Sequence, residues 1–141
     1  MKTSIAIIGA GIAGITLARH LFPVADVTVF EKSRGLGGRM ANRRREGFAF
    51  DHGAQYFTAR SQAFRTVAEQ AVDTGHAGLW PKAVPTLKAE GLVPDTRPAE
   101  PRYIGLPGMS GFASGLADGL HIRKETTVAR LAASGTGWAL T

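Results

Sequence analysis

Ser4-Ile5-Ala6-Ile7-Ile8-Gly9-Ala10-Gly11-Ile12-Ala13-Gly14 opens a stretch that runs through Phe22, Pro23 and Asp26-Val27-Thr28-Val29-Phe30 to Glu31, and it decides the fold. The apolar, β-branched residues 4–8 predict a parallel strand buried on both faces. Gly9 allows a tight turn, Gly11 lets backbone approach a diphosphate, and Gly14 lets a helix pack close to the strand. The spacing predicts that helix over Ile12 to Phe22, with Pro23 ending it. Its first N–H groups and positive dipole end face the phosphates. Residues 26–30 predict a second strand, and Glu31 follows twenty-two residues after Gly9. A carboxylate there accepts hydrogen bonds from both ribose hydroxyls of an adenosine and repels a 2′-phosphate. The unit therefore reads as an α/β, Rossmann-like FAD/NAD(P)-binding domain whose pocket does not hold NADP.

The whole chain has 141 residues, the size of one ordinary domain. Its 44% hydrophobic and 20% charged shares are globular values. No apolar run approaches the roughly eighteen residues of a membrane span, and the short stretch before Gly9 does not resemble a secretory signal. With no cysteine, there is no disulfide, thiolate metal site, cysteine nucleophile or cysteinyl flavin. A cytoplasmic location is the expectation. The histidines, His20, His52, His76 and His121, show no metal-site spacing, so no metal is expected.

The net charge of +6 is concentrated in Lys32, Arg34, Arg39, Arg43, Arg44 and Arg45. This run is either a solvated loop or a field attracting a phosphate-bearing cofactor or substrate. Aromatics are not interleaved with it in the sequence, which argues against nucleic acid. Within it, Gly37-Gly38 brings backbone N–H groups against phosphate and Arg39 supplies a forked cation. Residues 41–45 and 48–51, joined by Glu46-Gly47, predict a hairpin. Gly53-Ala54 is expected to let the chain pass close to a flat ligand.

The order GxGxxG, acid, Gly37-Gly38-Arg39, Asp51-His52-Gly53-Ala54 resembles the flavin-containing amine oxidase superfamily. Asp51 to Phe57 and Gly108-Met109-Ser110 resemble its bacterial renalase-like oxidoreductases more closely. The resemblance implies non-covalent FAD, with Ile12 and Ala13 at the diphosphate, Glu31 at the adenosine ribose, Arg39 at the flavin nucleotide, and Gln55 and Tyr56 near the isoalloxazine ring. Val128 is a backbone contact to adenine in the same comparison. Gly9, Gly11, Gly14, Lys32 and Gly38 complete the cofactor-binding set. No catalytic residue is assigned, because flavin hydride transfer needs no protein nucleophile; His52 beside Asp51 reads as structural.

Farther along, apolar residues at 64, 67, 68 and 71 predict a helix capped by Ser61 and ended by Gly75. Residues 77–101 read as short strands broken at Trp80-Pro81, Val84-Pro85, Gly91 and Pro94, with an exposed loop over 95–101. Trp80 and Tyr103 read equally as pocket lining or packing. A helix over 109–117 capped by Ser110, strands at 120–123 and 127–131, and a turn at Gly135-Thr136-Gly137 follow. Trp138-Ala139-Leu140 begins a last strand. The domain expectation is 1–76 for the FAD-binding unit, 77–107 for the start of an inserted β-rich substrate domain, and 108–141 for the return to the first domain.

The resembled flavoproteins continue beyond the counterpart of Thr141, so the chain reads as an N-terminal fragment or truncated product. It is expected to hold FAD weakly or not at all, with uncovered apolar surface favouring self-association. The resemblance implies an oxidoreductase moving hydride from a dihydronicotinamide dinucleotide isomer or an amine to flavin and then to oxygen. The alternative is a catalytically inactive dinucleotide-binding or assembly module. Expected partners are a small-molecule substrate and oxygen, with neither nucleic acid nor membrane.

Overall fold

A computed structural model describes residues 2–80, 86–89, 91–93 and 100–141. In chain order the elements are β1 (Ser4–Ile8), α1 (Ile12–Leu21), β2 (Asp26–Phe30), a 3₁₀ turn (Gly38–Met40), β3 (Asn42–Arg45), β4 (Phe48–Asp51) and β5 (Phe57–Thr58). Then come α2 (Gln62–Asp73), β6 (Ala77–Leu79), β7 (Thr86–Lys88), β8 (Gly91–Val93), β9 (Arg102–Gly105), α3 (Met109–Leu116), β10 (Ile122–Arg123), β11 (Leu131–Ser134) and β12 (Gly137–Leu140). The expected breaks over 81–85 and at 94, and most of the loop expected at 95–101, lie outside the described residues.

β1, β2 and β10 form a parallel sheet with β2 in the middle. Parallel neighbours need a crossover, and α1 supplies it between β1 and β2. Gly14 makes that packing possible: a Cβ there would fall on the carbonyl oxygen of Gly9. Ile7, Val27 and Val29 of the sheet pack with Ile15 and Ala18 of α1 and with Ala113 and Ala117. The chain has the Rossmann-like α/β fold. Contrary to expectation, among the described residues β1 is covered on one face, with Ser4, Ala6 and Ile8 exposed, Ile8 at 52%. Both of the helices that touch this sheet pack on its Ile7–Val29 side.

A second core joins Met40, Ala71, Ala77, Met109 and Phe112, flanked by Phe57, Phe64 and Val67. Phe112 is 1% exposed, and the Phe57 ring lies 4.5 Å from it and 5.4 Å from Tyr103. Burying one such ring contributes about 1.5–3 kcal/mol. Tyr103 is thus packing, not pocket lining. α3 belongs to both cores, through Ala113 and Ala117 on one side and Met109 and Phe112 on the other. The antiparallel sheet β5-β9-β6 lies against α2 and α3.

α2 is capped by Ser61, whose hydroxyl accepts from the Phe64 N–H at 3.3 Å, and Gly75 follows at φ 76°. The β3–β4 hairpin turns at Glu46 (φ 53°) and Gly47 (φ 83°), as a two-residue primed turn requires. Its register sets Arg43 opposite Phe50 and Arg45 opposite Phe48, so arginines and aromatics that are separate in sequence are interleaved across the strands.

Two expectations fail for tertiary reasons. Ser110 does not cap α3. It sits inside the first turn and donates to Asn42 Oδ1 at 2.9 Å, while Asp51 Oδ1 accepts from the Met109 N–H at 2.9 Å. The cap arrives from β4, 58 residues away. The strand expected at 127–131 is also absent. Thr126 N–H donates to the Glu31 carbonyl at 2.9 Å, which holds this segment at the end of β2. The ladder begins at Leu131 because the Gly135–Thr136 turn sets the β11–β12 register.

Candidate functional site

The end of β1, the start of α1 and the segment after β2 meet at one place. Gly9 takes φ 98°, which favours glycine, and its N–H donates to the Phe30 carbonyl at 2.8 Å. Gly11 caps α1 with φ −74°, a conformation open to any residue, and nothing lies within 4 Å of where its Cβ would be. Among the described residues, no contact accounts for glycine there. α1 begins without a side-chain cap and without an acid in its first turn, so no side chain of the helix start takes its leading N–H groups. An open groove starts at Ile12 and Ala13 and runs along α1 past Thr16 and Leu17 to His20.

The second glycine-rich segment is bonded directly to the first. Gly37 N–H donates to the Ala10 carbonyl at 2.9 Å, and Gly11 and Gly37 form an isolated parallel bridge. A Cβ on Gly38 would stand 3.4 Å from Gly11 Cα. Arg39 follows with its side chain exposed. Its carbonyl accepts from the Ala54 N–H at 2.9 Å, and a Cβ on Gly53 would fall on that carbonyl. Gly53 therefore serves a close approach between two stretches of this chain.

Glu31 is 8% exposed. Its Oε2 accepts from the Ala10 N–H at 2.7 Å and its Oε1 from the Ser33 N–H at 2.8 Å. Burial pushes its pKa up, but the N–H groups of Ser33 and Ala10 outweigh that, and the carboxyl sits below its usual range. It is therefore ionised at neutral pH, pinning the glycine loop to the end of β2. Lys32 is exposed beside it.

Thus Gly9, Gly11, Gly14, Glu31 and Gly38 are brought together with Ile12 and Ala13, and Arg39 is attached through Gly38. Gln55 and Tyr56 are exposed and follow the Ala54–Arg39 bond that ties this segment to the centre. The Tyr56 ring has the Arg102 guanidinium over it at 4.9 Å and the Trp80 ring at 6.4 Å. Val128 is half-buried in the non-strand segment that follows the Thr126–Glu31 contact. His52 is exposed, and the neighbouring carboxylate of Asp51 is engaged by α3. His20, His76 and His121 contact Thr16, Thr74 and Thr28 separately. Among the described residues, no three His, Asp or Glu side chains gather as a metal site, and no helix is long and apolar enough to cross a membrane.

Sequence reasoning missed Ser33, Asn42 and Asp51 as the groups that hold these segments. Ser33 two residues after an acid was a readable signal. The facing positions of 42 and 51 in a hairpin were another.

Residues 7–71 match the family model described as an NAD(P)-binding Rossmann-like domain. Fifty residues are 44% identical to the 4,4'-diapophytoene desaturase (4,4'-diaponeurosporene-forming) of Staphylococcus aureus strain Newman, and equally to that of strain USA300. The match covers 35% of this chain and 10% of the desaturase, so it spans about a tenth of those relatives. The crystal structure of reduced UDP-galactopyranose mutase superposes with a TM-score of 0.53 at 23% identity, covering 68% of this chain and 20% of that one. That likeness is one of fold. The glycine loop and Glu31, arranged as described, lie within the residues that match this model, and the chain has a Rossmann-like α/β fold.

Proposed function

We propose that the chain is the FAD-binding portion of a renalase-like oxidoreductase of the flavin-containing amine oxidase superfamily. The observation that carries this reading is the space at Gly11: an ordinary backbone conformation and an empty Cβ position at an uncapped helix start. The second glycine segment bonded alongside supports FAD over a simple nicotinamide enzyme.

The residues present fit the cofactor. N–H groups of Ile12, Ala13 and Gly38 would meet the diphosphate and Glu31 the adenosine ribose. Lys32 and Arg39 would add positive charge, with Arg39 at the flavin nucleotide. Gln55 and Tyr56 would border the ring, and Val128 would meet adenine. Bound FAD supplies hydride acceptance from a reduced substrate and reoxidation by oxygen, with hydrogen peroxide as product. The chain's own part is to position the cofactor and set the charge around it. The substrate in this reading is a dihydronicotinamide dinucleotide isomer or an amine, and the location is cytoplasmic.

Equilibrium dialysis of the chain against FAD, NAD⁺ and NADP⁺ tests the pocket. FAD should bind tightest and NADP⁺ weakest, because the ionised Glu31 repels a 2′-phosphate. NADP⁺ binding as tightly as FAD would overturn the reading. The second reading, a catalytically inactive dinucleotide-binding or assembly module, is favoured by the uncovered Ser4–Ala6–Ile8 face of β1. Dihydronicotinamide isomers added under air separate the two: peroxide release supports the enzyme, and FAD binding without turnover supports the module.

A further inference from the structure

We propose that the outward face of the β3–β4 hairpin docks on an anionic lipid surface. Side chains alternate across a two-stranded ribbon. Asn42 and Asp51, paired at its base, turn toward α3 and are bonded to Ser110 and the Met109 N–H. Arg43, Arg45, Phe48 and Phe50 therefore project from the opposite face, away from the body of the domain. Every residue from 43 to 50 is exposed on this ribbon, Phe48 at 68% and Phe50 at 56%.

Two adjacent phenylalanines left in water are unfavourable unless something covers them. The flanking chemistry selects the cover. Arg43, Arg44 and Arg45 are consecutive, and both acids of the hairpin are engaged, Glu46 with Arg45 at 3.1 Å and Asp51 with the Met109 N–H at the base. A second copy would bring like charges together, which disfavours a self-paired interface. A single-stranded nucleic acid needs a groove with ring faces presented in series. Here the two rings lie 6.3 Å apart at 44° to each other on a projecting ribbon. An anionic bilayer surface offers phosphates to the arginines and an apolar boundary to the rings. The contact stays interfacial, since both edges of the ribbon carry unpaired backbone groups that hydrocarbon would not satisfy. The absence of an apolar span in the sequence bears on crossing a membrane, not on this contact.

The test is co-sedimentation of the full chain with phosphatidylcholine vesicles and with vesicles also containing phosphatidylserine. Binding is expected only to the second, weakening as salt is raised. The R43Q/R45Q variant should lower partitioning by roughly tenfold or more, and F48S/F50S by roughly tenfold or more, with unchanged far-UV circular dichroism. Phe48→Trp gives an independent readout: its added emission should shift to the blue on anionic vesicles. Four results would each overturn the proposal: equal binding to both vesicle types, binding unaffected by F48S/F50S, tighter binding to a thymidine oligonucleotide than to the vesicles, or a dimer that F48S/F50S abolishes. So would an added indole emission, in the Phe48→Trp variant, that anionic vesicles leave unshifted.

Discussion

The same substitution, made three residues apart, should give opposite results. At Gly14 an added Cβ falls on the Gly9 carbonyl oxygen, and both the helix and the loop it strikes are backbone. Overpacking of this kind costs about 1–3 kcal/mol, and the upper end applies because no flexible side chain can give way. Alanine returns about 1 kcal/mol of helix propensity. Gly14→Ala should therefore destabilise by about 2 kcal/mol, or roughly 8 °C in Tm for a chain of this size. At Gly11 nothing stands within 4 Å of the new atom and φ is −74°. Alanine there gains about 0.4–1 kcal/mol by restricting the unfolded chain, and loses a similar amount as a poorer N-cap. Stability should change by less than about 0.5 kcal/mol, while FAD affinity falls at least about tenfold, since the methyl occupies the approach to the helix N–H groups. Urea denaturation followed by circular dichroism, with equilibrium dialysis against FAD, measures both. If Gly11→Ala unfolds the chain as much as Gly14→Ala does, or leaves FAD affinity intact, the assignment of Gly11 to a ligand is refuted.

Two further outcomes follow from the hydrogen bonds. The folded-state pKa of Glu31 lies below its unfolded value. Its contribution is present above the ordinary carboxylate range and is lost as pH falls through the folded value. The stability gap between wild type and Glu31→Gln, read from urea curves between about pH 7 and pH 3, should narrow toward the acid end; a constant gap would contradict it. Asp51→Ala should cost about 1 kcal/mol by leaving the Met109 N–H without its partner, whereas Ser110→Ala should cost less, since Ser110 caps nothing. Equal losses in the two variants would restore Ser110 as the cap.

Most of the dinucleotide unit was readable because its parts are set by spacing. Ser4 to Glu31 needs only a strand period, three glycines and an acid at a set distance. The Glu46-Gly47 turn and the Ser61 cap likewise act within a few residues. Ser110 shows where this stops. A serine at the head of an apolar run is a sound local cap signal, but β4 delivers a carboxylate to the same N–H groups. The Gly53 approach to the Arg39 carbonyl is likewise a contact between distant stretches that no local signal announces. Residues 127–130 carry a strand-like composition, yet Thr126 is held at the Glu31 carbonyl and the Gly135–Thr136 turn sets the ladder farther on.

Torsional freedom, helix period and charge are properties of neighbouring residues, so the βαβ start, the glycine positions and the acid after β2 are legible in the chain alone. Packing brought the two glycine segments together at Gly11 and Gly37, set Asp51 as the cap of α3, and stood Phe48 and Phe50 beside Arg45 and Arg43. Those outcomes depend on strand register and on which distant backbone groups lack partners, and neither is set until the elements pack.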